Sequence, residues 1–110
     1  MSKQQLFRQG DVMLQRVDSI PEDALACKVD GDVILAYGEV TGHAHRLAPA
    51  TVTPYAKDGV WSPTAERFIR AIEGAELTHE EHSAIKLAPG CYRVIQQREY
   101  HPEAIRRVAD

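Results

Sequence analysis

The sequence predicts a small all-β domain: an antiparallel barrel or sandwich of about six to eight strands with one or two short helices. Three observations point that way. Turn signals recur along the chain, at Asp30-Gly31, Asp58-Gly59, Glu73-Gly74 and Pro89-Gly90. The segments between them are short, apolar and rich in β-branched residues. No segment carries the i, i+3, i+4, i+7 apolar stripe of a sustained helix.

Taken in order, residues 11–17 alternate, with Val12, Leu14 and Arg16 on one face. Residues 21–25 begin with proline and acidic residues and read as a helical turn. Residues 33–37 form a nearly continuous apolar run, the pattern of a central strand. Residues 48–67 hold Pro49, Pro54 and Pro63 and read as loop and edge-strand material. Residues 68–72, 75–77, 85–87 and 91–95 are four further strands. Residues 102–108 open with Pro102 and Glu103 and close with Arg106 and Arg107, a charge order that suits a helix dipole.

The chain has 110 residues, 44% hydrophobic and 26% charged. That is one globular domain, spanning residues 1–110, with enough core to fold without metal or disulfides. A formal net charge of −3 argues against a duplex-DNA binder, which needs a basic face. Cys27 and Cys91 are far apart and in no C-x-x-C pattern, so they read as free thiols. No apolar stretch follows the N-terminal lysine as in a secretory signal, and no window approaches a membrane span. The expectation is a cytoplasmic protein with no membrane partner.

One feature rises above composition. Four of the five histidines fall in two motifs, His43-Ala44-His45 and His79-Glu80-Glu81-His82. On a strand, His43 and His45 would project from the same face, and their nitrogens could converge on one ion. His79 and His82, three apart, would face oppositely on a flat strand, so one of them, with His82 favoured, is expected to join the pair. Together they form a candidate site for a divalent transition metal: zinc, iron, nickel or copper. Glu39, Glu80 and Glu81 are close enough in sequence to serve as further ligands, as groups that orient the imidazoles or as a general base, with Glu39 or Glu81 the next candidate ligand. The ordinary alternative for each motif is a solvated polar turn. The H-x-x-H spacing is not the four-residue spacing of helical zinc proteases, and no G-x-S-x-G, Walker or G-x-G-x-x-G pattern is present. No catalytic residue can be assigned from these motifs alone. Tyr92, Arg93, Gln96, Gln97, Arg98, Tyr100 and His101 form a second polar and aromatic group; it reads better as a packed final strand than as a nucleotide site.

The H-x-H pair after Gly42 in a β-rich chain resembles the first motif of the cupin barrels. That likeness implies His43 and His45 as paired ligands, with His79 or His82 as the third. It departs from the cupin pattern in two places. Residues 46–50 supply no glutamate after His45, and Pro89-Gly90 follows the second motif where a cupin turn precedes it. The chain also looks like a set of small uncharacterised bacterial and phage proteins sharing GEVTGHAH, residues 38–45, and a later HEEH, residues 79–82. That resemblance implies no activity. A fainter likeness to the GroES-type co-chaperonin barrel rests on Gly10-Asp11-Val12 and Gly38-Glu39-Val40; it leaves the histidines unexplained.

Three functions compete. The first is a metal-binding protein, with or without enzymatic activity, that takes a small-molecule ligand. The second is a metal-free histidine phosphodiesterase or nuclease acting on a nucleotide or RNA, with Arg46 or Arg98 on the phosphate. The third is a homo-oligomeric interaction module built on open sheet edges.

Overall fold

The computed structural model describes residues 6–38 and 40–96. Ten strands run in chain order: β1 Leu6–Gln9, β2 Val12–Val17, β3 Leu25–Ala26, β4 Val33–Tyr37, β5 Ala44–Leu47, β6 Val52–Ala56, β7 Arg67–Ala71, β8 Glu76–Leu77, β9 Ile85–Lys86 and β10 Gly90–Gln96. Among the described residues there is no helix. The segment at 21–25 makes a single turn, with Ala24 N–H donating to the Pro21 carbonyl at 3.0 Å. It cannot continue as a helix because Leu25 and Ala26 are taken up in pairing with Ala56 and Tyr55. The helix expected at 102–108 lies outside the described residues.

Six strands form one antiparallel sheet in the order β1-β2-β10-β7-β6-β3. Two hairpins, β4-β5 and β8-β9, form the other layer. A bridge joins these hairpins: Arg46 and Thr78 exchange both backbone hydrogen bonds at 3.0 Å. The sheet does not close on itself, so of the two architectures expected, the structure is the sandwich. Val12, Leu14, Ile69, Tyr92 and Val94 from the large sheet meet Val33, Leu35, Leu47 and Leu77 from the small layer in one core. Burying each such side chain contributes on the order of 1.5–3 kcal/mol.

The apolar run at β4 has a different cause from the one expected. β4 pairs only with β5, and its register shifts between Ile34 and Ala36. The bulge turns Leu35 and Ala36, consecutive in sequence, both into the core. Part of the proline-rich stretch is also a strand: Pro54 sits within β6. Its missing N–H is tolerated because the outer neighbour β3 is only two residues long and pairs beyond it.

Three of the four expected turns lie between strands consecutive in the chain, and of these only Asp58-Gly59 lies between two strands that pair directly, β6 and β7; at Pro89-Gly90 the glycine already belongs to β10, where it pairs with Ala71. Among the described residues, positive φ is confined to glycines, so these are not turns with two left-handed residues. A further hairpin turn escaped the sequence reading. Gln9 pairs with Val12, leaving Gly10-Asp11 as a two-residue loop with Gly10 at φ 60°. Glycine first is the requirement of a type II′ hairpin.

Candidate functional site

Three loops converge at one end of the sandwich: the Gly10-Asp11 hairpin tip, the β4–β5 connection and the β8–β9 connection. The bridge from Arg46 to Thr78 brings the second and third together. Arg46 reinforces it: its guanidinium donates to the Gly42 carbonyl at 3.1 Å and pairs with Glu80 at 3.1 Å. Glu80 in turn accepts the Ala44 N–H at 2.9 Å. That backbone bond is the main cause holding the Glu80 carboxyl below its ordinary pKa. Glu80 is thus a clamp between the histidine loops, not a free ligand.

The four histidines of the two motifs come together. His45, His79 and His82 form a triangle with ring centroids 4.3, 4.7 and 5.7 Å apart, and His43 lies 5.8 Å from His79. Two expectations about geometry change. β5 begins at Ala44, so His43 closes the preceding turn, donating its N–H to Val40 O at 3.0 Å, and only His45 is a strand residue. Both His79 and His82 face the site, where one was expected. Regular pairing ends at Thr78, and residues 79–84 form a loop, so flat-strand alternation does not apply. Glu81 accepts from His43 Nδ1 at 3.0 Å. Glu39 lies outside the described residues.

The hydrogen bonds fix which nitrogen of each ring carries its proton. Gln9, nearly fully buried, donates its amide N–H groups to Leu77 O at 3.1 Å and Ser83 O at 2.9 Å. Its Oε1 must then accept, so His45 Nδ1 donates to it at 2.8 Å. This leaves the His45 Nε2 lone pair facing the site. The same logic applies to His43, whose Nδ1–H is held by Glu81. His79 is the reverse: its Nδ1 accepts the Glu81 N–H at 3.0 Å, so in the neutral ring Nε2 carries the proton.

His45 is only 2% exposed. Burial, reinforced by the neighbouring His79, holds its pKa below the ordinary histidine value despite Asp11. Burial thus favours the neutral ring. Yet its Nε2 stands 3.4 Å from Asp11 Oδ1. With Nδ1 donating to Gln9, the neutral ring turns its Nε2 lone pair toward this carboxylate. Asp11 is the functional candidate that sequence reasoning missed. Its signal was Gly10-Asp11 between two alternating segments, a hairpin tip that could present the carboxylate. Gln96 Nε2 donates to the other Asp11 oxygen at 3.3 Å.

The walls are glycines. A Cβ on Gly10 would stand 3.0 Å from His82 Nε2 and 3.3 Å from His45 Cε1. One on Gly38 would stand 3.1 Å from His79 Nε2 and from His43 Cβ. Glycine lets both backbones approach the imidazoles. Among the described residues, no group of three or more His, Cys, Asp or Glu side chains is arranged to hold a metal ion.

The family model described as Domain of unknown function (DUF8820) matches residues 8–97. The chain belongs to the DUF8820 family. The matched stretch holds Gln9, Asp11, the four clustered histidines and Gln96, so the whole site lies within the DUF8820 domain. No curated protein and no solved structure matches the chain. Among the described residues, no helix is long and apolar enough to cross a membrane.

Proposed function

We propose that the histidine cluster binds a divalent transition metal, with His45 Nε2 and Asp11 Oδ1 as its nucleus and His82 as the third ligand. The observation that carries this reading is the 3.4 Å separation of a neutral imidazole lone pair and a carboxylate oxygen. An ion about 2.1 Å from each, with tetrahedral angles, requires ligand atoms about 3.4 Å apart. The two proposed imidazole ligands, His45 and His82, have ring centroids 5.7 Å apart, close to the about 5.2 Å of imidazoles sharing a tetrahedral ion. Gln9 behind His45 is the kind of hydrogen-bonded support that metal-bound imidazoles use to fix their tautomer. His79 joins only by giving up its bond to the Glu81 N–H. Two histidines and one carboxylate with open positions suit iron as well as zinc, and leave room for a small-molecule ligand. The test is calorimetric titration of untagged, chelator-treated protein with zinc and with ferrous iron, repeated on Asp11→Asn, His45→Ala and His82→Ala. One equivalent bound by the parent, and weakened at least about tenfold in each variant, is expected. Equal binding by all four proteins refutes it.

A second reading rests on the approach of His45 and His79. Their ring centroids lie 4.3 Å apart; the bare Nε2 on His45 would serve as base, and His79 as acid once it is protonated to the imidazolium and gives up its bond from the Glu81 N–H, the pairing that metal-free phosphodiester cleavage needs. It predicts nucleotide or RNA hydrolysis that persists in chelator and is lost in both His45→Ala and His79→Ala.

A further inference from the structure

A cleft of about 440 Å³ lies between the large sheet and β4, within the size range of small-molecule sites. Val29, Ile34, Tyr37, Trp61 and Pro63 give it apolar walls. The Trp61 ring is pinned by its Nε1–H, which donates to the Ile34 carbonyl at 2.7 Å. The one cation among its lining residues is Arg67, the first residue of β7. Strand alternation places Arg67 on the same face as the core residue Ile69, and it is 3% exposed. Its guanidinium lies 5.0 Å from the Trp61 ring centroid. Among the described residues it has no carboxylate partner within ion-pair distance. An arginine buried at a cleft without a counter-charge leaves its donor fork unmatched, and a carboxylate or phosphate matches that fork in geometry as well as sign.

We propose that this cleft binds a small organic oxyanion, a carboxylate or phosphate monoester on a flat apolar body, with Arg67 on the anionic end and Trp61 along the body. Asp30 and Asp32, both exposed, also line the cleft. The end of the ligand that reaches them is therefore uncharged or cationic. Gln96 lines the cleft and also holds Asp11, so the ligand lies one residue away from the histidine site. The proposal does not depend on a metal there.

Trp61 is the only tryptophan in the chain, so its fluorescence and its indole resonance report on the cleft alone. The experiment titrates chelator-treated protein with benzoate, phenyl phosphate and benzamide, following both signals. A saturable shift with benzoate or phenyl phosphate, and none with benzamide at the same concentration, is expected; the tighter of the two anions identifies the oxyanion. Arg67→Met, checked by thermal melting to be folded, weakens the response about tenfold or more. Three results overturn the proposal. They are no response to either anion at ~10 mM, where even weak ligands of this size should register, an equal response to benzamide, and an unchanged titration in folded Arg67→Met. If Arg67→Met does not fold, the comparison of anions with benzamide on the parent protein decides alone.

Discussion

Replacing Gln9 by leucine removes the group that fixes the His45 tautomer and nearly preserves side-chain size. The buried amide makes three hydrogen bonds, to Leu77 O, Ser83 O and His45 Nδ1. Each neutral bond contributes about 1 kcal/mol net, and the variant leaves partners unsatisfied in a buried setting, so Gln9→Leu should cost ~3 kcal/mol of folding stability. It also frees the His45 ring to flip or change tautomer. Loss of such a supporting bond typically weakens metal binding by about 10–100-fold. Urea unfolding of the metal-free protein measures the first effect and zinc titration the second. Nitrogen-15 NMR of the imidazoles reads the tautomer directly: Nδ1–H at His45 and Nε2–H at His79 in the parent, with the His45 pattern lost in the variant. A variant within about 0.5 kcal/mol of the parent, with the His45 pattern intact, would show that the amide does not hold the ring as described.

Gly10→Ala places a methyl 3.0 Å from His82 Nε2 on a backbone at φ 60°; it should cost about 1–2 kcal/mol in denaturant melts and abolish metal binding. The Glu80 carboxyl is held below its ordinary pKa chiefly by the Ala44 N–H. Its stabilisation is present above the ordinary glutamate pKa and lost as pH falls through the folded value, so Glu80→Gln should flatten that acid limb of the stability curve; an unchanged limb refutes the clamp. Burial raises the Cys27 thiol pKa, and iodoacetamide at neutral pH should modify Cys27 only on unfolding, with Cys91 labelled first in the native protein by mass spectrometry.

Much of the fold was legible because it rests on local chemistry. Glycine-marked turns and period-two alternation place β2, β7 and β10 within a residue or two. The β4 bulge was not legible: an apolar run from a bulge and one from a doubly buried strand look alike until the pairing partner is known. The histidine motifs were visible because four of the chain's five histidines fall in them. Their juxtaposition depends on the Arg46–Thr78 bridge, a contact 32 residues apart that no local pattern encodes. Asp11 and Gln9 were hidden for the same reason. An acidic residue after glycine at a hairpin tip looks like an ordinary turn, and a buried glutamine reveals its role only through three partners far away in sequence. Arg67 gave no signal, since an arginine heading an apolar strand normally reads as solvent-facing.

The most direct test of the proposed metal centre is anomalous diffraction from crystals of the untagged protein grown with zinc. A single anomalous peak should lie about 2.0–2.2 Å from His45 Nε2, Asp11 Oδ1 and a nitrogen of His82, with the Gln9 bond to His45 Nδ1 retained. A peak only at exposed side chains elsewhere, or none near Asp11 and His45 at full zinc occupancy, would contradict the metal centre.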